Sequence, residues 1–438
     1  MTFHHADAGT PTARWADAVG PEIDVADVAR VLLIAAHPDD ESLGAGGLVA
    51  RCTAAGVPTS VLVLTDGDAS HPRSPTHTRA ALGERRRRES VVAAAALGVV
   101  GARLTHLGIA DGTVGAHEDD VVAAIVDLLG DGRDALLVAP YRHDGHPDHE
   151  AAGRAAAIAA VRTDARLLEY PIWLLHAAEP SRLGDDQLVH LALDADERAA
   201  KDRAIAAHAS QVHPLSDEPG DEVLLGEHVL ERFRGPIERY VVAPRAVDDR
   251  LDRLHVAEPE PWGADVRWYE RRKRALLLAM LPQERLGRVL ELGCSTGVTT
   301  AALAERADEV VAIDASEAAL ARAAERTAGA AVRLLHGSIP DAWPAGRFDA
   351  VVLSEVGYFL SPAALEEVVA RVEASLTDGG VVLLCHWRHP VRGWPLDADA
   401  VHEAFDRPSM PPRAASYADG DVRLELRAAR SAMPEAGR

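Results

Sequence analysis

The sequence predicts two α/β domains, each with a doubly wound, Rossmann-like sheet. Apolar strand-type runs alternate with helix-type segments over residues 30–242, and a second such series occupies residues 265–438. Between them, residues 243–264 carry Pro and charge without periodicity, which is typical of a linker. The length of 438 residues also exceeds what one domain usually needs. Residues 1–29 are polar and are expected to be an N-terminal extension with one turn of helix.

The first domain shows a regular order of elements. We predict strands at residues 31–36, 59–65, 103–107, 135–139, 167–173 and 187–193. We predict helices at residues 41–55, 79–97, 117–129, 149–161 and 194–209. This βα alternation predicts a parallel, doubly wound sheet.

The second domain repeats the pattern with different residues. We predict strands at residues 288–292, 309–313, 331–335, 348–353 and 380–386. We predict helices at residues 267–281, 298–306, 316–327 and 362–376. The tail from about residue 405 is rich in Pro, Ala and Arg and gives no clear pattern. Apart from the shared α/β style, the two halves show no internal repeat.

Composition excludes several classes of partner. The net charge of −22 disfavours binding to nucleic acids and to anionic membranes. The three cysteines, Cys52, Cys294 and Cys385, have neither metal-binding spacing nor a disulfide framework. The N-terminus lacks the order of a signal peptide, and no apolar run has the length of a transmembrane helix. We therefore expect a soluble cytoplasmic protein that acts on a small molecule, of unspecified oligomeric state.

Two polar clusters follow predicted strands of the first domain. His37, Asp39 and Asp40 come directly after the first strand, and His146 and His149 follow the strand at 135–139. Because open α/β sheets place active sites beyond the carboxyl ends of their strands, we expect both clusters at one site. Two imidazoles and one carboxylate form an open zinc site that leaves a position for water. Residue types alone leave open whether Asp39 or Asp40 binds the metal.

The remaining polar groups suit amide hydrolysis. The carboxylate that does not bind the metal could take a proton from the attacking water. His146 could donate to the oxyanion or to the leaving amine, and Asp148 could orient an imidazole. A structural alternative is that Asp39 or Asp40 caps the helix that follows. A metal-dependent phosphatase or nuclease is a weaker alternative, because it would need more carboxylate ligands and a basic cleft.

The two motifs together resemble a known family. His37-Pro38-Asp39-Asp40-Glu41 and His146-Pro147-Asp148-His149 are similar to the motifs of the LmbE/PIG-L family of zinc-dependent N-deacetylases, which act on N-acetylated sugars. The resemblance covers roughly residues 30–190. It implies His37, Asp40 and His149 as ligands of Zn²⁺ or another divalent metal. It also implies Asp39 as the general base and His146 as the group that stabilises the transition state.

Other polar residues near this edge give weaker signals. Asp66, Asp68 and Arg73 follow the second strand, where substrate contact and a solvated loop are both compatible with the sequence. Asp144 and Arg142 are candidates for contact with sugar hydroxyls. Asp111-Gly112 is interpreted as a turn.

The second domain carries a nucleotide-type loop. Glu291 ends a strand that runs into a turn containing Gly293 and Gly297, and the next strand ends at Asp314. Glycine permits close approach of the backbone to a ligand, and an acidic strand end can accept ribose hydroxyls. Ser295 breaks the Gly-x-Gly-x-x-Gly pattern of dinucleotide sites.

This loop is instead similar to the first motif of class I S-adenosylmethionine-dependent methyltransferases. The segments 268–273, 354–358 and 386–389 further resemble the nodulation-type (NodS-like) N-methyltransferases over roughly residues 262–405. The resemblance implies cofactor contacts from Glu291, Gly293, Cys294, Gly297, Asp314, Ala315, Ser338, Ile339, Trp268 and Arg272. Glu355 and Tyr358 are candidates for receiving the acceptor amine, although core or helix-cap roles fit them equally.

Together these patterns predict a bifunctional enzyme. The first domain would hydrolyse an N-acetyl group on an amino sugar or glycoside, and the second would methylate the product, on the freed amine. Two alternatives remain at this stage. The domains could modify different groups of one natural product, or the second domain could bind S-adenosylmethionine without turnover.

Overall fold

The computed structural model describes residues 7–184 and 186–433. The chain forms two compact units, one up to Ala246 and the other from Val247. The boundary between the units falls within the segment predicted as a linker.

The first unit contains seven strands and nine α-helices among its described residues. The strands are β1 Arg30–Ala35, β2 Thr59–Thr65, β3 Leu104–Ile109, β4 Ala135–Pro140, β5 Arg166–Tyr170, β6 Gln187–Ala192 and β7 Ile237–Val242. The helices are α1 Ala13–Ala16, α2 Asp40–Ala54, α3 Arg79–Ala96, α4 Glu118–Leu129, α5 Pro147–Thr163, α6 Trp173–Ala177, α7 Ala195–Ala207, α8 Ala209–Val212 and α9 Glu227–Leu230.

The strands of this unit form one sheet in the order β3-β2-β1-β4-β5-β7-β6. The first five are parallel, whereas β7 runs antiparallel to both of its neighbours. Alternate residues of each central strand pack on opposite faces: Val31 and Leu33 join a core with α2 and α3, while Leu32 and Ile34 join a second core with α4 and α5. Helices therefore cover both faces of the sheet.

The second unit contains seven strands and six α-helices among its described residues. The strands are β8 Leu286–Leu292, β9 Ala307–Asp314, β10 Val332–His336, β11 Phe348–Ser354, β12 Leu376–Trp387, β13 Arg413–Ala418 and β14 Val422–Arg427. The helices are α10 Arg250–Ala257, α11 Trp268–Met280, α12 Val298–Ala304, α13 Glu317–Arg326, α14 Pro362–Ser375 and α15 Ala398–Ala404.

Its sheet has the order β10-β9-β8-β11-β12-β14-β13, with β14 antiparallel to β12 and β13. Numbered within its own unit, each sheet therefore follows the order 3-2-1-4-5-7-6. The predicted α/β class and the Rossmann-like architecture of both domains are confirmed. The sheets are mixed, however, and not purely parallel as the βα alternation had predicted.

The antiparallel strands β7, β13 and β14 were absent from the sequence prediction. In β7, Glu238 occupies a buried position and pairs with Lys201, with 2.7 Å between Lys201 Nζ and Glu238 Oε1. In β14, Glu425 and Arg427 are buried and pair with each other in the same way. Charged residues at core positions hide the apolar alternation by which a strand is recognised.

Segments expected to be loose are packed against their units. Trp15 in the N-terminal extension is 3% exposed and donates from Nε1 to the Ala178 carbonyl at 3.1 Å. The segment predicted as a linker contains α10, and Arg322 Nη1 of α13 donates to the His255 carbonyl at 3.2 Å. The extension is therefore attached to the first unit, and α10 to the second.

A search of the described helices for a bilayer-spanning segment found none with sufficient length and apolar character.

Candidate active sites

Both candidate sites lie where the strand order reverses. In the first unit β1 has β2 on one side and β4 on the other, so the loops after β1 and β4 meet beyond adjacent strand ends. In the second unit β8 lies between β9 and β11, and the Gly-containing loop follows β8. Such switch points are the usual ligand sites of open α/β sheets.

The three predicted metal ligands converge in the first unit. His149 Nε2 lies 3.3 Å from His37 Nδ1 and 3.3 Å from Asp40 Oδ1, and His37 Nδ1 lies 3.6 Å from Asp40 Oδ2. His146 also brings a ring nitrogen into a group with His37 and His149 whose ligand atoms lie within 4.8 Å of one another. Two imidazoles and a carboxylate around one point are a donor set that fits a divalent metal.

Carboxylates behind these ligands fix which ring nitrogen faces the site. His149 Nδ1 lies 2.8 Å from Asp144 Oδ2, so Nε2 faces the cluster. Against the effect of burial, the Asp40 and Asp144 carboxylates raise the pKa of His149 to about 9. His37 Nε2 lies 3.2 Å from both Asp111 Oδ1 and Asp148 Oδ2, which leaves Nδ1 for the cluster. Carboxylate–imidazole pairs of this kind orient metal-binding histidines.

A backbone N–H donates to the His146 ring, whereas carboxylates face the rings of His37 and His149. His146 Nδ1 accepts the Asp148 N–H at 3.2 Å, so the ring proton is placed on Nε2. Its ring centroid lies 4.9 Å from that of His37 and 4.8 Å from that of His149. Burial, together with the two neighbouring imidazoles, lowers the pKa of His146 to about 3. His146 is therefore a neutral N–H donor at the edge of the cluster.

Asp39 is held in an unusual conformation beside the cluster. Its φ is +128°, and it makes no side-chain capping hydrogen bond to α2, so the helix-cap alternative does not describe it. Arg86 Nη2 donates to Asp39 Oδ2 at 3.0 Å. Burial raises the pKa of Asp39 to about 6, with Arg86 opposing the shift and the Asp40 and Glu41 carboxylates adding to it.

Asp144 differs from its predicted role. We expected contact with sugar hydroxyls, but the residue is 2% exposed and both carboxylate oxygens are used inside the protein. Besides His149, it accepts the backbone N–H groups of Ile172, Trp173 and Leu174 at 2.8–3.0 Å. Asp144 thus holds His149 in place and is closed to substrate.

Asp148 was suggested by the sequence as a residue that orients an imidazole, and this role stays a prediction. Asp148 faces His37 and accepts the backbone N–H groups of Gly112 and Val114. Arg73 is exposed on the loop after β2, and its role as a substrate contact stays a prediction.

Two residues of this site were missed by sequence reasoning. Asp111 was interpreted as part of a turn, but it faces His37. Arg86 was given no role from the sequence, yet it is 3% exposed and bound to Asp39. The sequence signal that could have identified Arg86 as buried is its position on α3, because it shares a helix face with Leu82, Ser90 and Ala93.

The loop after β8 is shaped by backbone conformation. Gly293, Ser295 and Gly297 have φ values of +75°, +48° and +78°. A Cβ at Gly293 would lie 2.6 Å from Val356 Cβ, and one at Gly297 would lie 2.8 Å from Ala323 Cβ. Ser295, between the two glycines, also lies in the left-handed region. The glycines are therefore needed both for conformation and for space.

Two acidic residues flank this loop. Asp314 accepts the N–H of Ser295 at 2.7 Å through Oδ2 and that of Ser316 at 2.9 Å through Oδ1. Glu291 is buried, and its Oε2 has no hydrogen-bond partner in the part of the chain that the structure describes. Burial raises the pKa of Glu291 to about 8, and the nearby Asp314 charge contributes to the shift. A buried acceptor without a donor is a feature that a bound cofactor could satisfy.

The other predicted cofactor residues are distributed along the same sheet edge. Cys294 is buried in the loop, while Ala315 follows β9 and both Ser338 and Ile339 follow β10. Ala315 and Ser338 are exposed and Ile339 is half-buried. Their contacts with cofactor stay predictions.

The structure places Trp268 and Arg272 differently from expectation. Arg272 Nη1 donates to Asp419 Oδ2 at 2.7 Å, and Arg272 also donates to Tyr417 OH, so the guanidinium is bound by the β13–β14 hairpin. Trp268 is 70% exposed at the start of α11. Lys273 is the buried cation of this helix, with its Nζ 3.4 Å from Glu355 Oε1. Arg272 is therefore engaged elsewhere in this conformation.

Glu355 and Tyr358 form a pair after β11. Glu355 has a φ of +59°, and the Tyr358 hydroxyl donates to Glu355 Oε2. Val356, next to Glu355, lies against the Gly293 loop, since a Cβ at Gly293 would be 2.6 Å from Val356 Cβ. Burial raises the pKa of Glu355 above its usual value, against the opposing charge of Lys273. The pair thus offers a carboxyl group beside the proposed cofactor loop.

Comparison with known proteins identifies the class of each half. Residues 32–160 match a family model described as GlcNAc-PI de-N-acetylase (PIG-L), and residues 289–380 match one described as a methyltransferase domain. The chain belongs to the PIG-L deacetylase family through its N-terminal half, and its C-terminal half is a methyltransferase domain. It is thus an enzyme of both classes, as the motifs predicted.

Individual relatives are similar to one half of the chain or the other. Over 262 residues the chain is 30% identical to a 1D-myo-inositol 2-acetamido-2-deoxy-α-D-glucopyranoside deacetylase of Actinosynnema mirum, covering 49% of this chain and 92% of the relative. Over 137 residues it is 36% identical to an uncharacterised methyltransferase of Mycobacterium tuberculosis, covering 27% of this chain and 66% of the relative. Among solved structures it is similar to the N-methyltransferase NodS of Bradyrhizobium japonicum with S-adenosyl-L-homocysteine, at 21% identity and a TM-score of 0.39, covering 41% of this chain and 97% of that chain.

Proposed function

We propose that the first unit hydrolyses an N-acetyl group on an amino sugar or glycoside, and that the second unit methylates the amine so freed with S-adenosylmethionine. The observation that carries the first step is the convergence of His37, His149 and Asp40 beside the carboxylate of Asp39. The name of the Actinosynnema mirum relative, a deacetylase of a 2-acetamido-2-deoxyglucopyranoside, supports the substrate class.

The donor set fits Zn²⁺ or another divalent metal, with His37 Nδ1, His149 Nε2 and an Asp40 oxygen as ligands. A metal there supplies Lewis-acid chemistry, since zinc lowers the pKa of a coordinated water to about 7 and polarises an acyl oxygen. Asp144 and Asp148 keep the two imidazoles in the tautomers that this requires.

Two residues of the chain move or share protons in the proposed reaction. The Asp39 carboxylate accepts a proton from the attacking water, and Arg86 and the backbone hold that carboxylate in position. The Nε2–H of His146 donates to the oxygen that gains charge as the acetyl carbon becomes tetrahedral. The amide C–N bond then breaks, the amine nitrogen takes up the proton that Asp39 accepted from the water, and the acetyl group is released as acetate.

The second unit is proposed to bind S-adenosylmethionine, which supplies an electrophilic methyl group. Asp314 keeps acceptor capacity for ribose hydroxyls, and the Glu291 Oε2 without a donor fits the cofactor's cationic end. Glu355 and Tyr358 are proposed to receive the acceptor amine, with Glu355 taking the proton that the ammonium must lose. Holding donor and acceptor in line supplies most of the catalysis, so an elaborate catalytic set is not needed.

The order of the two steps follows from nitrogen chemistry. An amide nitrogen is a poor nucleophile because its lone pair is delocalised into the carbonyl group. If both units act on the same nitrogen, hydrolysis must therefore precede methylation.

The test is mass spectrometry of a panel of N-acetylated amino sugars and glycosides incubated with the purified protein. Each compound is run with and without S-adenosylmethionine, alongside the Asp39→Ala variant. We expect a loss of 42 Da followed by a gain of 14 Da, with the first change absent in the variant. Deacetylated product that is never methylated, or is methylated only on oxygen or carbon, contradicts the coupled function. Loss of acetyl with cofactor binding but no methylation favours a binding role for the second unit.

A further inference from the structure

We infer that Glu41 and His208 are positioning residues for the first active site: they hold Asp39, the proposed base, in its unusual backbone conformation. His208 lies between α7 and α8, outside the residues 32–160 that match the deacetylase family model. The inference rests on the proposed deacetylase function, in which Asp39 is the base.

The starting observation is the strained backbone of Asp39. Its φ of +128° and ψ of −27° lie outside the regions that residues with a Cβ ordinarily adopt. Such a conformation persists only where the surrounding structure compensates for it. The compensation must therefore come from identifiable contacts around residue 39.

Those contacts reach Asp39 on both sides of its Cα. The Asp39 carbonyl accepts the N–H groups of Ser42 and Leu43 at 3.0 and 2.9 Å, as the first turn of α2 requires. The Asp39 N–H donates to Glu41 Oε2 at 3.0 Å. Glu41 is therefore the acceptor that matches the unusual orientation of this peptide group.

Glu41 in turn depends on His208. The Glu41 carboxylate is 1% exposed, and an ionised group so buried needs partners. Its Oε1 lies 2.8 Å from His208 Nε2 and accepts the Ser42 hydroxyl at 2.8 Å. His208 is also 1% exposed, so the pair is isolated from solvent. One oxygen of Glu41 is thus fixed by His208 while the other holds the Asp39 N–H.

The Glu41–His208 pair differs from a buried ion pair that contributes only to stability. Breaking a buried ion pair usually lowers stability wherever the pair lies. Lys201–Glu238 is such a pair in the same unit, and Glu238 accepts the N–H groups of Gly47 and Leu48 in the middle of α2. The Lys201–Glu238 pair is therefore a matched control, because it binds the same helix at a point away from Asp39.

The experiment compares His208→Met, His208→Gln and Lys201→Met in the full-length, metal-loaded protein. Gln can place an N–H donor near the position of His208 Nε2, whereas Met removes the donor and keeps the bulk. We measure kcat and KM for deacetylation, bound metal by mass spectrometry, the thermal midpoint, and the φ of residue 39 in crystal structures. We expect His208→Met to lower kcat about tenfold or more with KM and metal content nearly unchanged, because small displacements of a base are costly.

The expected pattern has two further parts. His208→Gln should recover most of the lost kcat, and Lys201→Met should lower the thermal midpoint without a comparable loss of kcat. The inference is overturned if His208→Met keeps both its kcat and a φ near +128°, or if Lys201→Met loses as much kcat as His208→Met. Wild-type protein without deacetylase activity would refute the proposed function, whereas the φ of residue 39 in the His208→Met crystal structure tests the positioning role independently.

Discussion

The two candidate sites share a strand order and a switch point but are built from different parts of the chain. In the first unit, the site consists of side chains that already bind one another: three histidines, each oriented by a carboxylate or a backbone N–H. In the second unit, the site is mostly backbone, with three residues at positive φ around a loop that admits no Cβ at two positions. One sheet topology thus supports a site made of side chains and a site made of backbone.

The difference reflects the chemistry proposed for each half. Amide hydrolysis moves protons and develops charge on oxygen, so it requires titratable side chains at fixed positions. Methyl transfer mainly requires close approach of two bound molecules, which a glycine loop permits. We therefore expect substitutions in the first unit to lower activity by removing a titratable side chain. In the second unit we expect them to lower cofactor affinity by changing the shape of the loop.

The largest expected effect is the loss of a proposed metal ligand. His149→Ala should lower kcat/KM for deacetylation on the order of 10³-fold or more and release the metal, because no water would then be activated. His143→Ala, an exposed histidine of the same loop, is the matched control and should retain activity and metal. Kinetics and bound-metal analysis of both variants check this. A His149→Ala protein that binds metal and turns over normally would remove His149 from the ligand set.

The next effect concerns the residue behind that ligand. Asp144→Asn keeps the size of the side chain but weakens its hold on His149 Nδ1–H, so metal affinity should fall about 10–100-fold. Competition with a chelator measures it, and Asp134→Asn on the surface serves as the control. If Asp144→Asn instead raises KM for substrate with metal affinity unchanged, Asp144 contacts the sugar as the sequence had suggested.

The third effect tests the backbone site. Gly297→Ala combines a positive φ with a Cβ 2.8 Å from Ala323 Cβ, so affinity for S-adenosylhomocysteine should fall about tenfold or more, with deacetylation unaffected. Gly329→Ala also has a positive φ, at +83°, but no atom lies within 4 Å of its added Cβ, and it should bind normally. Calorimetry compares the two. Equal affinities would mean that the loop does not approach the cofactor.

The smallest effect is a pH dependence of stability. The pKa of Glu291 is raised from 4.5 to about 8 by burial, so in the folded state Glu291 stays protonated where the unfolded chain has ionised. Its contribution to stability is complete below about pH 4.5 and is lost as pH rises towards 8. Glu291→Gln should therefore gain roughly 1–3 kcal/mol over the wild type between pH 5 and pH 8 in the unfolding of the second unit. Denaturant titrations at both pH values measure it, and a pH-independent difference would contradict the raised pKa.

The sequence by itself determined the order of the parallel strands, the two polar loops of the first unit and the Gly-containing loop of the second. These features are local, since each is a run of apolar residues ending in a short motif. Tertiary structure decided what depends on partners distant in sequence. Asp144 serves His149 and not substrate, Arg86 holds Asp39, and Arg272 binds the hairpin that ends the sheet.

The same reason explains the missed strands. Glu238 in β7 is compatible with a buried strand because Lys201 and the N–H groups of α2 bind its carboxylate, and Glu425 in β14 because Arg427 pairs with it. The sequence around a charged residue does not show which distant residue will pair with it. The residue types that the chemistry requires could therefore be recognised in the sequence. Which charged residues pair with one another, and hence the role of each, depends on the tertiary structure.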